Sequence, residues 1–182
     1  MPTRRTFADD FEALAAAHLD SAYNLARWLV RDPALADDVV QDAMLRALKY
    51  FDGFRGDNAR AWLLQIVRNV AFTRLKGDAA SASTSLEDAG AELDTRAPHG
   101  LRDSRDEPEA TLMREDDERL VQRLLAQLPV ELRECLILRE LEELSYKEIA
   151  RVVDAPIGTV MSRLWRARKL LAEAAGAEVA ST

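Results

Sequence analysis

The chain has few of the features that mark secreted, membrane-bound or disulfide-stabilised proteins. It has a single cysteine, Cys135, among 182 residues, so no disulfide framework can form within it, as is typical of a reducing cytosol. No apolar run approaches the ~20 residues of a membrane span. The first residues contain arginines but no apolar signal core. We therefore expect a cytoplasmic protein without membrane insertion, in which Cys135 is a small core residue.

The sequence also lacks the motifs of common enzymes and cofactor sites. It contains no glycine-rich phosphate loop, no nucleophile elbow and no cluster with metal-ligand spacing. Its two histidines, His18 and His99, are isolated from each other and from other ligands. We therefore expect no catalytic site, no metal and no cofactor. Strand-like alternation and repeats of solenoid period are also missing, which predicts an all-α fold.

The net charge of −7 is distributed unevenly. Residues 1–76 hold 11 basic and 10 acidic residues, residues 77–111 hold 3 and 9, and residues 112–182 hold 11 and 13. The middle segment is small, polar, acidic and without periodicity, which is typical of a flexible linker. A linker of this length within one compact domain would be unusual. We predict two small helical domains, 1–76 and 112–182, joined by this acidic linker.

The clearest motif lies in residues 144–171, where two helical patterns are separated by a tight break. Ser145 and Glu148 form a capping box that predicts a helix from Tyr146. Asp154 falls at the turn, where Asp tolerates a left-handed backbone. Pro156 suits the first turn of the following helix. This arrangement predicts a helix-turn-helix. The preceding predicted helices are 112–128 and 130–141, and the helical period of the second places Leu132, Leu136, Ile137 and Leu141 inward.

The second helix of this motif has two contrasting faces. The helical period predicts an inward face made of Ile157, Val160, Leu164 and Leu171. It predicts an outward face made of Gly158, Ser162, Trp165, Arg166 and Lys169. Between residues 155 and 172 there are four basic and no acidic residues, which favours the major groove of DNA. The alternative is an ordinary amphipathic helix with a solvated basic face.

The N-terminal segment predicts three helices, 7–31, 34–51 and 59–76, each with an apolar stripe at helical spacing. Asp32-Pro33 marks the break between the first two. The second helix places Asp37, Asp38, Gln41 and Asp42 on one side, with Leu45, Arg46 and Lys49 beside them. This acidic face is either simply solvated or a docking surface for a basic partner.

A loop at residues 51–58 combines flexible residues with Phe51, Phe54 and Arg55. Such side chains can stack on an unpaired base, although the two phenylalanines could instead pin the loop to the core. The helix that follows carries Arg60, Arg68, Arg74 and Lys76 and no acidic residue, and Asn69 could pair with a base edge. This stretch is a second candidate nucleic-acid surface.

Three segments together resemble one family. DPALADDVVQDAMLRAL, YFDGFRGDNARAWLLQIVRN and LPVELRECLILRELEELSYKEIARVVDAPIGTVMSRLWRARKLL are similar to the extracytoplasmic-function (ECF) sigma factors of bacterial RNA polymerase. The resemblance covers residues 8–173 approximately, with the linker free to vary. It implies a protein that binds core RNA polymerase, directs it to specific promoters and assists promoter melting. A stand-alone DNA-binding regulator is the alternative from another functional class.

The resemblance also implies roles for particular residues. Polymerase binding, through the clamp helices of the largest subunit, falls on Asp37, Asp38, Gln41, Asp42, Leu45 and Arg46. Reading of the −10 element falls on Phe54, Arg55, Asn58, Arg60, Trp62, Arg68 and Asn69. Reading of the −35 element falls on Met161, Ser162, Trp165 and Arg166, with Arg163, Arg168 and Lys169 near phosphates. The implied partners are core polymerase (clamp helices and flap), promoter DNA and an anti-sigma factor.

Met161 departs from the pattern of the family, because many members carry a basic residue there. Methionine cannot donate a hydrogen bond to guanine. We therefore expect either a lost contact or an apolar contact with a thymine methyl group at this position.

Overall fold

The computed structural model describes residues 7–82 and 120–180, with side chains at 9–77 and 120–176. Across these two ranges every regular element is a helix, which confirms the all-α prediction. Most of the predicted linker (83–111) and the first part of the predicted helix 112–128 lie outside the described residues.

The N-terminal module consists of three helices: α1 (Phe7–Val30), α2 (Pro33–Tyr50) and α3 (Ala59–Ala82). Asp32 caps α2, since its carboxylate accepts a hydrogen bond from the Leu35 amide at 2.9 Å. A short 3₁₀ turn, Phe51–Gly53, follows α2. Helix α3 continues beyond residue 76, so residues 77–82, which the composition assigned to the linker, are helical.

The three helices pack around leucine and valine side chains, with alanines where the helices approach closely. Larger fully buried members of this core are Leu25, Leu29, Val39, Leu63, Leu64 and Val67. Alanines on all three helices, including Ala26, Ala43 and Ala71, have no exposed surface. Small residues at these positions let the backbones come close together and bury the apolar stripes that the helical period predicted.

The C-terminal module consists of helical residues 120–127 (α4), α5 (Val130–Glu140), α6 (Tyr146–Val153) and α7 (Ile157–Ala180). Ile137, Leu138, Ile149 and Leu164 form the centre of its core. Cys135 is fully buried beside them, as expected. Burial, followed by the nearby Glu134 carboxylate, raises the pKa of its thiol to about 11, so this cysteine is unreactive at neutral pH.

The two modules pack against each other, with α3 against α6 and α1 against α5. Helix α5 is therefore covered on two sides, and residues 133–138 are all buried. This changes the predicted face of α5. Leu141, which was expected inward, is 51% exposed, whereas Arg133 and Glu134 are buried. The Arg133 guanidinium donates to the Leu29 carbonyl oxygen of α1 at 3.3 Å, so a polar side chain ties α5 to the other module.

Candidate nucleic-acid interface

The helix-turn-helix forms as its local signals predicted. The Ser145 hydroxyl accepts from the Glu148 amide at 3.3 Å, and the Glu148 carboxylate accepts from the Ser145 amide at 2.7 Å, which completes the capping box. Asp154 ends α6 in the left-handed region, with φ of 51°. The Pro156 carbonyl oxygen then accepts from the Thr159 and Val160 amides at 2.9 and 3.2 Å as α7 begins.

Helix α7 divides into a buried and an exposed face. Val160, Leu164 and Ala167 are buried against α5 and α6. Ile157 was predicted to join them but is 45% exposed. The reason is its position in the first turn, where it lines an open groove together with residues of α6 and of the turn, such as Ala150 and Asp154. The buried face thus begins at Val160 and not at Ile157.

The outward face of α7 carries the side chains expected to reach base edges. Met161 and Trp165 are 53% and 63% exposed, and Ser162 and Arg166 are exposed beside them. These four side chains lie on one accessible surface. The structure brings together this part of the expected −35 site.

Three other basic residues of α7 interact within the protein. Arg163 turns toward α5, where its guanidinium lies 3.2 Å from the Glu134 carboxylate. Arg168 pairs with Glu140 of α5 at 2.7 Å, and this hydrogen bond is the main cause of its raised pKa. Lys169 lies 5.5 Å above the Trp165 ring. Arg163 is therefore oriented inward, while Arg168 and Lys169 stay near the exposed face.

The loop before α3 packs against its own module. The Phe51 ring contacts Phe11 edge-on at 5.4 Å, and the Phe54 ring lies 4.7 Å from the Trp62 ring. The alternative in which both phenylalanines anchor the loop fits these contacts. Arg55 is exposed, and it donates to the Phe54 carbonyl oxygen at 3.0 Å.

Three polar residues of α3 and its cap face the C-terminal module. Asn58 caps α3 by accepting from the Ala61 amide at 2.8 Å, and its side-chain amide donates to Glu148 of α6. Arg60 forms an ion pair with Glu142 in the turn after α5. These two members of the expected −10 site are thus bonded to acidic residues of the other module.

Arg68 makes the most buried of these cross-module contacts. Its guanidinium donates to both Glu134 carboxylate oxygens, at 2.8 and 3.2 Å, and stacks 4.2 Å from the Phe72 ring centre. Desolvation raises the pKa of the fully buried Glu134 carboxyl, and the Arg68 and Arg163 cations oppose that rise. Asn69, one residue further along α3, is exposed.

Sequence reasoning missed Glu134 and Glu142 as partners of the expected DNA-binding residues. Periodicity treats a polar residue in a helix as solvated. Glu134 lies within the apolar run ECLIL, and an acid there was a usable signal of a buried ion pair.

The acidic face of α2 is accessible. Asp37, Asp38 and Gln41 are exposed, and Leu45 is 66% exposed next to them. Leu45 thus places one apolar side chain beside the exposed carboxylates of this surface.

Asp42 lies at the edge of this surface. Its carboxylate is 3.6 Å from the Arg46 guanidinium and 3.2 Å from that of Arg74. Both arginines therefore offset the negative charge of Asp42 at this edge.

Neither a metal site nor a membrane span is present in residues 7–82 and 120–180. No group of His, Cys, Asp or Glu residues there could hold a metal ion. None of the described helices is both long and apolar enough to cross a bilayer.

Two helical modules, one bearing an exposed helix-turn-helix, define a nucleic-acid-binding protein of bipartite design. Family models match both modules: Sigma-70 region 2 at residues 14–80 and Sigma-70 region 4 at residues 118–171. The chain is 35% identical over 165 residues to the RNA polymerase sigma-H factor of Pseudomonas aeruginosa, covering 90% of this chain and 85% of that protein. It is 38% identical over 135 residues to the ECF RNA polymerase sigma-E factor of Escherichia coli K12, covering 74% and 70%.

Solved structures agree with the sequence relatives. The sigma factor RpoE from Bartonella quintana, in complex with the anti-sigma factor NepR, superposes with a TM-score of 0.70 at 27% identity, covering 90% of this chain and 95% of that one. CnrH, in complex with the cytosolic domain of CnrY, gives a TM-score of 0.61 at 23% identity, covering 92% and 88%, and supports the fold. The chain belongs to the ECF sigma factors, which act with RNA polymerase in promoter-specific transcription initiation.

Proposed function

We propose that this sigma factor contacts polymerase and promoter through three separate surfaces. The exposed face of α2 binds the clamp helices of the polymerase largest subunit. The outward face of α7 reads the −35 element, and the loop before α3 together with α3 reads the −10 element. The observation that carries the proposal is that the α2 and α7 surfaces are both accessible while their opposite faces form the core.

The polymerase contact is supported by the chemistry of α2. Asp37 and Asp38 present two exposed carboxylates, and Leu45 provides an apolar contact beside them. Charge around an apolar centre suits a specific docking surface, in which electrostatics steers association and apolar burial stabilises the complex. Asp42 contributes less in this scheme, because Arg46 and Arg74 already lie near it.

The −35 contact is supported by the position of Arg166 and Ser162 on the exposed face. An arginine can donate two hydrogen bonds to guanine, and a serine hydroxyl can donate or accept. Arg168 and Lys169 lie beside them, and each forms an exposed ion pair, Arg168 with Glu140 and Lys169 with Glu173. Exposed ion pairs are weak, so both cations can exchange their carboxylate partners for DNA phosphates.

The −10 contact requires the two modules to separate, because Asn58, Arg60 and Arg68 are bonded to acids of the C-terminal module. Binding along a polymerase would supply the energy for this change. The described arrangement is then a closed form of the free chain.

A protein that covers both modules is the third proposed partner. In the structural relative from Bartonella quintana, a sigma factor is in complex with an anti-sigma factor. We extend this partnership to the present chain, which acts in the cytoplasm as a non-enzymatic specificity subunit, with core polymerase (clamp helices and flap) and promoter DNA.

The test is a pull-down with core RNA polymerase followed by run-off transcription. We expect the wild-type chain to bind core polymerase and to give promoter-dependent transcripts. Replacing Asp37 and Asp38 together by lysine should reduce core binding at least tenfold, while the unfolding transition stays unchanged because both side chains are exposed.

The matched control places lysine at Glu173, an exposed acid of α7 that is distant in the chain from α2. Equal core binding by wild type and the double variant would mean that the acidic face of α2 is only solvated. A chain that binds duplex DNA but not core polymerase would support the stand-alone regulator instead.

A further inference from the structure

The outward face of α7 contains an apolar stripe, and the hydrogen bonds proposed for Ser162 and Arg166 do not account for its chemistry. Ile157, Met161 and Trp165 are spaced four residues apart and are 45%, 53% and 63% exposed. Side chains at this spacing stand on successive turns along one side of a helix. Three large apolar groups are therefore exposed in a row beside Ser162 and Arg166.

The surroundings of the stripe favour DNA as the molecule that covers it. Arg166, Arg168 and Lys169 flank it, and residues 156–171 contain no acidic side chain. The nearby acids are Asp154, in the groove beside Ile157, and Glu140, which is paired with Arg168. Such a distribution complements phosphates on both sides of a groove. An apolar stripe inside a basic border needs an apolar feature at the floor of that groove.

The floor of the major groove offers one such feature, the C5-methyl group of thymine. Methionine has no hydrogen-bond donor, and isoleucine has no polar side-chain atom at all. Isoleucine can therefore gain from DNA only through apolar contact, and methionine mainly so, because its thioether sulfur is only a weak acceptor. The third, Trp165, adds a large aromatic surface with a single donor.

We propose that Ile157, Met161 and Trp165 make this sigma factor select thymine at two or more positions of the −35 element by burying its methyl groups. Ser162 and Arg166 then supply the polar contacts at neighbouring bases. This inference rests on the proposed reading of the −35 element by α7. It names the chemistry of that reading, which is recognition of methyl groups alongside hydrogen bonding.

The experiment removes the methyl groups and nothing else. Polymerase holoenzyme made with the full chain selects a duplex from a pool randomised at the −35 element, and each thymine of the selected sequence is then replaced by uracil. We expect about a fourfold loss of affinity at each contacted thymine, which is the loss of about 0.8 kcal/mol for one buried methyl-sized group.

The protein side of the experiment assigns the contacts. Met161→Ala should abolish the uracil effect at one thymine and leave it at the others, and folding should be unaffected because the side chain is exposed. The control is the same uracil replacement in the spacer between the promoter elements, where no loss is expected.

Two outcomes would count against the ideas separately. If replacing each thymine of the selected duplex by uracil left the affinity of the holoenzyme unchanged, methyl recognition would be overturned and the role of α7 would remain. Failure to select any −35 sequence would overturn the proposed function of α7 itself.

A second, independent observation concerns the contact between the modules. Three contacts join the modules: Glu134 with Arg68, Glu142 with Arg60, and Glu148 with Asn58. We refer to these three contacts together as the latch. Glu134 and Glu142 are only 0% and 2% exposed. Their charges depend on these partners, since a buried carboxylate without a cation is strongly disfavoured.

We infer that the latch inhibits the free chain, because its carboxylates occupy the donors that would otherwise hold single-stranded DNA. The carboxylates of the C-terminal module stand where phosphates or base edges would bind. Opening the latch exchanges these acids for nucleic acid and so couples separation of the modules to binding of the −10 strand.

Glu142→Gln tests this inference in the full chain, since Glu142 lies outside the proposed promoter and polymerase contacts. The probe is a fluorescent single-stranded oligonucleotide that carries the −10 sequence of a promoter transcribed by the holoenzyme. We expect the free variant to bind it at least fivefold more tightly than the wild type does. Glu140→Gln, which alters an exposed acid at the end of α5, is the control and should leave the affinity for the oligonucleotide unchanged.

Glu142→Asp keeps the charge but shortens the side chain, so it should give an intermediate affinity and covers the case in which the glutamine variant does not fold. A folded Glu142→Gln chain with wild-type or weaker binding of the oligonucleotide would overturn the inference.

Discussion

The faces of α3 and α7 expected to bind DNA differ in what covers them. On α3, Arg60 and Arg68 are bonded to carboxylates of the other module. On α7, Trp165 and Arg166 are exposed, although two other arginines, Arg163 and Arg168, pair with acids of α5. Both helices have basic residues along one side, so they look alike in sequence. A basic helix face is therefore available for DNA only if no acid elsewhere in the fold already pairs with its cations.

The difference has a functional meaning. A sigma factor with an open α7 and a covered α3 face can meet duplex DNA before it can hold a melted strand. The order of the two contacts would then be built into the closed form.

The largest effect is expected from removing Glu134, the buried acid that pairs with Arg68 on the covered face of α3. Glu134→Ala leaves the Arg68 and Arg163 cations next to a cavity without their counter-charge, and we expect the free energy of unfolding to fall by about 3 kcal/mol. Urea denaturation measures this loss. Glu140→Ala removes a half-exposed partner of Arg168 and should cost about 0–1 kcal/mol. Similar losses in the two variants would mean that the α3 face is not held as described.

The open face should respond in the opposite way. Arg166→Ala should weaken binding of holoenzyme to a −35-dependent promoter by about 1–3 kcal/mol, the usual value of a base contact. Its free energy of unfolding should change by less than about 0.5 kcal/mol, because the side chain is exposed. A promoter-binding assay paired with denaturation separates the two effects. Unchanged transcription would remove Arg166 from the −35 site.

A smaller loss of stability is expected at the start of α6, the helix that precedes the exposed helix α7. Ser145→Ala removes the hydroxyl that caps α6, which should cost about 1 kcal/mol of stability. Thermal or urea denaturation measures it, and Ser145→Asp, which can also cap, should retain most of the stability. If the Ser145→Ala variant were as stable as the wild type, the capping box would contribute nothing to the stability of the helix-turn-helix.

The smallest expected effect is a change in the pKa of Glu148. This carboxyl has one partner within its own module, Ser145, and one in the other module, Asn58. The pKa of Glu148 is lowered below its ordinary value of 4.5, mainly by hydrogen bonds from Ser145 and to a lesser degree by the one from Asn58. Its stabilising contribution is therefore present above pH 4.5 and is lost as the pH falls through the lower folded-state value.

Carboxyl NMR titration measures this pKa in variants. Ser145→Ala should raise it more than Asn58→Ala does, since the bonds within the capping box are the larger cause. A larger rise in the Asn58 variant would show that the contact between modules dominates.

Local features of the fold could be predicted from the sequence because their causes are local. The capping box at Ser145, the left-handed turn at Asp154 and the helix stop before Pro33 each depend on neighbouring residues. The apolar stripes of α1 and α2 followed from helical period. The all-α class and the two modules followed from these elements together.

The contacts between modules could not be predicted, because their partners are far apart in sequence. Arg68 and Glu134 are 66 positions apart, and Arg60 and Glu142 are 82. No period or spacing rule joins such residues. The exposure of Ile157 was also missed, since helical spacing assigns a residue to a face without saying whether another element reaches that end of the helix.

The distance between the modules, measured in the free chain and in the chain bound to polymerase, decides whether the closed form opens. Cysteines introduced at the exposed positions Asp20 and Lys147 accept a donor and an acceptor dye, while Cys135 stays unlabelled because it is buried. We predict high energy transfer in the free chain and a clear drop when core polymerase and promoter DNA are added. Equal transfer in both states, with transcription intact, would contradict the claim that the closed form must open to read the −10 element.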